Sequence, residues 1–102
     1  MKVRFAPFAQ QRARHIKTWW QNHRPAAEVT FDQELEDLTR RLASMSSRSP
    51  LGVIDGDKHG QSIRRVLLRK SQQHVYYSID EATDTVIVRM IWGAQRGQRP
   101  KL

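Results

Sequence analysis

Hydrophobic positions in the first half of the chain recur at intervals of three or four residues, which gathers them on one face of a helix. In the first predicted helix, which begins at Pro7, these positions are Ala9, Ala13, Ile16 and Trp20. In the second they are Ala27, Phe31, Leu35, Leu38, Leu42 and Met45. Between them, "NHRP" offers Asn22 to end one helix and Pro25 to begin the next. The pattern therefore predicts an antiparallel helical hairpin with one buried stripe on each helix.

Strand-like alternation flanks the helices. Residues 2–6 predict a short first strand, and three runs after Gly60, over 62–70, 74–80 and 84–93, predict an antiparallel meander joined by "SQQ" and "EAT". "GVID" (52–55) allows one more short strand, whereas "DGDKHGQS" (55–62) predicts a loop with its turn at Asp55-Gly56. The predicted fold class is α+β, in the order β-α-α-β-β-β(-β), with the helical hairpin packed on one face of an antiparallel sheet.

Length and charge limit the choice of function. The chain has 102 residues, which fits one domain over 1–102 with a single core. Residues 1–24 carry six basic residues and no acidic one, residues 25–57 three basic and seven acidic, and residues 58–102 nine basic and three acidic. The acidic helix face is also typical of an ordinary solvated surface. The net charge of +8 nevertheless indicates an acidic or polyanionic partner.

Several kinds of site are not expected. The absence of cysteine excludes disulfides, thiolate zinc sites and cysteine nucleophiles, and it suits a reducing cytoplasm. The four histidines share no ligand spacing, so neither a metal nor another cofactor is expected. No apolar run approaches the ~20 residues of a membrane-spanning helix, and the N-terminus lacks the pattern of a signal peptide. We therefore expect a cytoplasmic protein without membrane contact.

The strand arginines are the main candidates for binding. Arg64 and Arg65 are neighbours on one predicted strand, so they point to opposite faces. Arg89 alternates with a set that is expected to pack on the helices, namely Val86, Val88, Met90 and Trp92. Arg89 would then face away from the helices, as would His74 or Tyr76, and such a face suits an anionic ligand. The alternative is an ion pair between Arg89 and Asp80, Asp84 or an acid of a helix.

The first predicted helix carries a second apolar stripe, formed by Phe8 and Trp19, about a quarter-turn from the core stripe. This stripe exceeds what a simple core face needs. Exposed apolar patches often mark the binding sites of partners. The alternative is that Trp19 packs under the C-terminal tail.

Three stretches in this order resemble the RelE/ParE superfamily of bacterial type II toxins over essentially the full length. They are "VRFAPFAQQRARHIKTWW", "GQSIRRVLL" and "HVYYSIDEATDTVIVRMIWGAQRG". The resemblance implies the toxin component of a toxin-antitoxin system, which inhibits growth and is associated with plasmid stabilisation and stress response. It also implies a cognate antitoxin that covers the toxin in a hetero-oligomer.

RelE-like members of the superfamily cleave mRNA on the ribosome. Cleavage through the 2′-hydroxyl needs a proton acceptor, a proton donor and cations for the developing charge. For this branch the resemblance implies catalytic roles for Arg64, His74 and Arg96. However, Val66 stands where a second strand cation is expected, His74 where an arginine is usual, and neither tyrosine nor histidine follows Gly93. A ribosome-dependent endoribonuclease is therefore the alternative interpretation.

ParE-like members act by binding DNA gyrase rather than by covalent chemistry of their own. "VRMIWGAQRG" and the tryptophan-bearing first helix are more similar to this branch, so we expect a gyrase inhibitor that is not an enzyme. The residues expected to contact the target are Arg65, Arg89, Trp92, Arg96 and Arg99. Those expected to contact the antitoxin are Phe8, Arg12 and Trp19. A plain nucleic-acid-binding domain would fit the charge but not the resemblance.

Overall fold

Two helices pack on one face of a five-stranded sheet in this structure, a computed structural model that describes residues 1–95, 100 and 102, with the side chains of 26–28 outside that description. The elements in chain order are β1 (Lys2–Phe5), α1 (Pro7–His23), α2 (Pro25–Ser44), β2 (Val53–Lys58), β3 (Gln61–Leu68), β4 (Gln73–Asp80) and β5 (Thr85–Gly93). The α+β class and the helical hairpin are confirmed. Neither helix is long and apolar enough, over its described residues, to cross a membrane.

The sheet is mixed, and the prediction of an antiparallel sheet was wrong at one edge. The strand order is β1-β5-β4-β3-β2, and β1 runs parallel to β5 from Lys2↔Thr85 to Phe5↔Val88. The other neighbouring strands are antiparallel. An even number of chain reversals separates β1 from β5, because the helical hairpin and the strand hairpins each turn the chain back. The two strands therefore point the same way when they pair.

The additional short strand that "GVID" allowed is present as β2. The turn predicted at Asp55-Gly56 was wrong. Both residues lie within β2, which pairs with β3 through an irregularity between Ile54 and Asp57. Gly56 has a φ of 112° at this irregularity, a conformation that glycine adopts readily. The turn instead falls at His59 and Gly60, whose φ values of 53° and 76° suit a tight hairpin.

The core lies between the helices and the sheet, as the stripe of the helices predicted. Ile16, Phe31, Leu38 and Leu42 are buried, and Trp20, Leu35, Met45 and Ala13 are partly buried against them. From the sheet, the buried members of the same cluster are Leu68, Val75, Tyr77, Val86, Val88 and Ile91. Ala27, the first predicted position of the second stripe, has its side chain outside the described part.

A bulge in β5 changes which residues face the helices. Tyr77 pairs with Val88 and Tyr76 pairs with Met90, so Arg89 is an extra residue without a partner in β4. Beyond the bulge the alternation is displaced by one position. Ile91 consequently joins the core, and Met90 is on the opposite face, beside Tyr76. Trp92, paired with His74, is on that opposite face too, so the expectation that Met90 and Trp92 would pack on the helices was wrong.

Candidate functional site

The sheet face opposite the helices, here called the outer face, gathers polar and aromatic side chains from three strands. Arg65 of β3 pairs with Tyr76 of β4, and His74 of β4 pairs with Trp92 of β5. Because side chains of paired residues share a face, these four lie on the same side of the sheet. Tyr76 is itself buried, as are Ile63, Ser78 and Ile87 on the same face. The outer face is thus a closely packed surface that carries the partly exposed cation of Arg65.

Arg89 lies across this face because the bulge directs it there. Its Nε donates a hydrogen bond to the Ser78 hydroxyl at 2.7 Å, and its Nη2 donates to the Gln61 side-chain oxygen at 3.0 Å. The guanidinium therefore extends from β5 over β4 to β3. Both acceptors are neutral, and Arg89 forms no ion pair among the described residues. Its positive charge is thus oriented by hydrogen bonds to neutral groups.

Arg65 is held differently. Its Nη1 lies 3.4 Å from the Oδ2 of Asp55, on the neighbouring strand β2. About 38% of the Arg65 side chain remains exposed, so the ion pair fixes the side chain while leaving part of it accessible. The Asp55 side chain is only 16% exposed, so water and salt screen this ion pair only in part. Arg65 therefore reaches a ligand only in competition with Asp55.

His74 is neutral in this environment at pH 7. Burial lowers the pKa of His74, Arg65 lowers it further through its positive charge, and Asp55 partly opposes both. The Nδ1 of His74 is buried without a hydrogen-bond partner in the described part of the chain. Its ring meets Tyr76 edge-on, with 6.2 Å between ring centroids. A neutral imidazole can accept a proton, so the site offers one group suited to acid-base chemistry.

Trp92 connects the outer face to α1. The guanidinium carbon of Arg12 lies 5.7 Å from the centroid of the Trp92 ring, within the range of a cation–π contact. The Nε of Arg12 also donates a hydrogen bond to the Ile91 carbonyl at 3.2 Å. A residue expected to contact the target and one expected to contact the antitoxin are therefore in contact with each other.

Arg64 does not join His74. It lies on the helix-side face, paired with Tyr77, where its Nε and Nη2 donate hydrogen bonds to the carbonyls of Leu51 and Gly52 at 3.2 and 3.0 Å. Burial raises the pKa of the Tyr77 hydroxyl, and nearby Arg64 partly offsets this. Arg64 thus anchors the loop before β2. The alternative catalytic residues Arg64 and His74 are separated by the sheet.

The second stripe of α1 is exposed. Phe8 is 69% exposed and Trp19 44%. Trp19 stacks on His23 with 4.5 Å between ring centroids and meets Trp20 edge-on at 5.0 Å. The stripe therefore offers apolar surface to a partner.

The C-terminal tail is only partly described, and Arg96 and Arg99 lie outside the described residues. Ala94 donates its backbone N–H to the Gln72 carbonyl at 2.9 Å, which fixes the start of the tail beside the β3–β4 turn. Pro100 is buried, and together with Leu102 it lines a cavity beside Asp57 of β2. Pro100 and Leu102 therefore lie beside the end of β2, a position that the sequence did not indicate.

Sequence reasoning missed the two residues that orient Arg89. Ser78 lies within an apolar run and Gln61 follows a glycine, so neither pattern marks a binding site. They meet Arg89 only because β3, β4 and β5 are neighbours in the sheet. Asp55, which holds Arg65, was assigned to a turn for the same local reason. Nothing in the chain order could have signalled these contacts.

Comparisons with known proteins add no relative. No protein family model matches the chain, no curated protein matches it, and no solved structure matches it. Within the described residues, no group of three or more histidines, aspartates and glutamates is placed to hold a metal ion.

Proposed function

We propose that the protein is a toxin of the RelE/ParE type that inhibits growth by binding DNA gyrase and is neutralised by a cognate antitoxin. The observation that carries the proposal is the arrangement of Arg89, which Ser78 and Gln61 hold across the outer face and which forms no ion pair with a described residue. A pre-oriented cation on a packed surface can bind an acidic or phosphate-bearing partner without an ordering cost.

Binding is favoured over catalysis because two of the residues implied for a nuclease, Arg64 and His74, are on opposite faces of the sheet. Arg64 donates to backbone carbonyls on the helix-side face, whereas His74 is on the outer face. A nuclease of this kind needs a proton donor opposite the acceptor, and the sequence after Gly93 contains neither tyrosine nor histidine. One neutral histidine does not complete such a set.

The second candidate, a ribosome-dependent endoribonuclease, is supported by His74 itself. The lowered pKa keeps the imidazole neutral at pH 7, as a general base requires, and Arg65 is close enough to contribute to that shift. In this reading Arg65 and Arg89, rather than Arg64, would stabilise the charge that develops on the phosphate. The endoribonuclease therefore requires His74 as its general base, whereas the gyrase inhibitor requires no chemistry from His74.

The antitoxin is proposed to cover the exposed stripe of α1. Phe8 and Trp19 provide the apolar area, and Arg12 lies on the same helix. Because Arg12 also contacts Trp92, a segment bound along α1 would disturb the edge of the outer face. Neutralisation then follows from contact with a surface adjacent to the target-binding residues.

The test compares two assays on the same purified protein: supercoiling of relaxed plasmid by gyrase, and primer extension on mRNA from an in vitro translation reaction. We expect inhibited supercoiling and accumulation of cleaved plasmid, with no new mRNA ends. Arg89→Gln should weaken gyrase inhibition by about tenfold, the effect of losing about 1.4 kcal/mol of contact energy. Arg41→Gln is the matched control, because Arg41 is exposed on α2, away from the outer face.

Growth inhibition by further variants separates the two candidates. A binding inhibitor should retain its toxicity in His74→Gln and lose part of it in the double variant Arg96→Ala, Arg99→Ala. Loss of an acid-base group usually lowers a rate by about 10²–10⁴-fold. An inactive His74→Gln, together with new mRNA ends from the unmodified protein only, would reject gyrase as the target. A protein without effect in either assay would reject the toxin assignment.

A further inference from the structure

A cavity of about 620 Å³ lies between α1, the β3–β4 turn and the end of β5. It is called here the α1–turn cavity, and the residues that matter below are Trp19, Trp20, Arg24, Lys70, Ser71 and Gln73. A smaller space of about 270 Å³ shares Trp20, Arg24, Lys70 and Ser71 with it. The volume falls in the range of small-molecule sites, which is about 300–1,000 Å³. The cavity is on the helix side of the sheet and is separate from the outer face.

Two polar atoms at this cavity are buried without partners. Ser71 is only 6% exposed, and its hydroxyl oxygen has no hydrogen-bond partner in the described part of the chain. The same holds for the side-chain oxygen of Gln73. Buried polar groups are nearly always paired, and both residues that carry these atoms line the cavity, so a ligand toward which the two side chains turn would complete their hydrogen bonds. The Gln73 oxygen requires a donor, and the Ser71 hydroxyl can donate or accept.

The turn that carries these residues is rigidly held. The carboxylate of Glu34 on α2 accepts the backbone N–H groups of Lys70 and Ser71, both at 2.9 Å. The carboxylate is thereby occupied by backbone donors, and Glu34 does not line the cavity. A turn fixed in this way presents Ser71 and Gln73 in one arrangement, which lowers the ordering cost of binding.

The charge and aromatic character of the walls define the ligand further. Arg24 and Lys70 line the cavity and form no ion pair within the described residues, and none of the residues that line it is acidic. Trp19 and Trp20 supply indole surface from α1. Cations attract phosphate, and indole rings stack on planar heterocycles. The ligand is therefore anionic at one part, aromatic at another, and carries an N–H donor.

We propose that the α1–turn cavity binds a free nucleotide whose base carries an exocyclic amino group. The base lies against the tryptophans and donates its amino group to the Gln73 oxygen, while the Ser71 hydroxyl bonds a ring nitrogen. The phosphates lie between Arg24 and Lys70. This site uses none of the outer-face residues, and it shares Trp19 with the stripe of α1 that is proposed to bind the antitoxin.

The test is isothermal titration calorimetry on the whole purified chain with two matched pairs of nucleotides. ATP and CTP carry the amino group, whereas ITP and UTP have a carbonyl oxygen in its place. We expect ATP or CTP to bind at least about tenfold more tightly than its carbonyl counterpart, because that oxygen leaves Gln73 unpaired. Equal binding within each pair, or no binding of any nucleotide at millimolar concentration, would overturn the proposal.

Single-residue variants test which residue makes each proposed contact with the nucleotide. Gln73→Leu should bind ATP and ITP equally, and Lys70→Gln should weaken both by a similar factor. Lys58→Gln on β2, outside the cavity, is the matched control and should change neither affinity. Thermal unfolding of each variant checks that the fold is kept, and Ser71→Ala supplies a second, smaller deletion if Gln73→Leu does not fold. Tighter binding of a hexa-adenylate strand than of ATP would overturn the free nucleotide as the ligand.

Discussion

At the scale of single residues, the adjacent Arg64 and Arg65 have different roles because consecutive residues of a strand point to opposite faces. Arg64 donates to the carbonyls of Leu51 and Gly52 and so holds the loop between α2 and β2. Arg65 lies on the outer face with Asp55. Replacing the first should therefore disturb folding, whereas replacing the second should alter the charge of the candidate site.

The loop that Arg64 holds requires glycine at position 52. Gly52 has a φ of 78°, and a Cβ added there would overlap the carbonyl oxygen of Arg65. Gly60 has a similar φ of 76°, but a Cβ there meets nothing within 4 Å. We expect Gly60→Ala to lower the free energy of unfolding by about 1–2 kcal/mol, from backbone strain alone. Gly52→Ala should cost at least about 2 kcal/mol more, measured by urea unfolding, and equal losses would contradict the overlap.

His74 should make stability depend on pH. Its pKa is lowered in the folded protein, so as the pH falls the unfolded chain takes up the proton first, near pH 6.5. Stability contributed by the neutral imidazole is therefore complete above about pH 6.5 and declines as the pH falls to the pKa of the folded state. We expect the unmodified protein to lose more unfolding free energy than His74→Gln between pH 7.5 and pH 5. Parallel losses in urea unfolding would show that His74 does not titrate differently on folding.

At the scale of elements, α2 connects the core to the β3–β4 turn. Its buried residues Phe31, Leu38 and Leu42 face the sheet. On the same helix, Glu34 accepts two backbone N–H groups of that turn. The position of the turn, and of the α1–turn cavity, therefore depends on the packing of α2.

The hydrogen bonds between Glu34 of α2 and the β3–β4 turn predict that removing the charge of Glu34 lowers the stability of the protein. In Glu34→Gln only one oxygen remains to accept the two N–H groups of Lys70 and Ser71. Hydrogen bonds to charged groups contribute about 1.5–3 kcal/mol, so we expect a loss in that range from urea unfolding. Glu36→Gln is the control, because Glu36 only pairs with Arg40 one turn away on the exposed face. That change should cost no more than about 0.5 kcal/mol, and comparable losses for both variants would contradict the role of Glu34.

The buried face of α2 gives a second prediction at this scale. Leu38 is 1% exposed, and Leu38→Ala should lower the free energy of unfolding by about 2–5 kcal/mol, the usual effect of a cavity in a core. Val29, on the same helix, is 55% exposed, so Val29→Ala should change it by about 0.5 kcal/mol or less. Differential scanning calorimetry of both variants tests the register of the helix, which would be incorrect if Leu38→Ala were nearly neutral.

At the scale of the whole molecule, the two surfaces are coupled through α1. The exposed stripe of Phe8 and Trp19 is on this helix, and Arg12 reaches from it to Trp92 at the edge of the outer face. A partner bound along α1 would thus lie beside the residues proposed to contact gyrase. The acidic residues cluster in α2, and the basic residues lie mostly in the two ends of the chain, so opposite charges occupy different parts of the sequence.

This arrangement predicts where an antitoxin protects the protein. If the cognate antitoxin binds the stripe of α1, backbone amides in residues 8–24 should exchange more slowly with deuterium in the complex than in the free protein. Slower exchange reflects suppressed local opening of the helix. The exposed half of α2 around Arg40 provides the internal reference. Unchanged exchange over residues 8–24 would exclude the stripe from the interface.

The sequence alone determined the helices, most of the core and the order of the elements, because each depends on a periodicity that the chain carries locally. Ile16, Phe31, Leu38 and Leu42 were identified as core by spacing, and they are buried. The meander was predictable because its connectors are too short for anything but hairpins. The direction of β1 was not, since it depends on how many times the whole chain reverses.

Tertiary structure alone decided how the residues of the candidate site are arranged. A bulge of one residue at Arg89 exchanged the faces of Ile91 and Trp92, and local alternation cannot reveal an extra residue whose partner strand is elsewhere. Arg89 meets Ser78 and Gln61 through strand pairing between residues up to 28 positions apart. The cavity that Ser71 and Gln73 line likewise exists only because α1 lies opposite the β3–β4 turn. Periodicity specifies which face of an element is apolar, but the partners of its polar atoms are fixed only when the elements pack together.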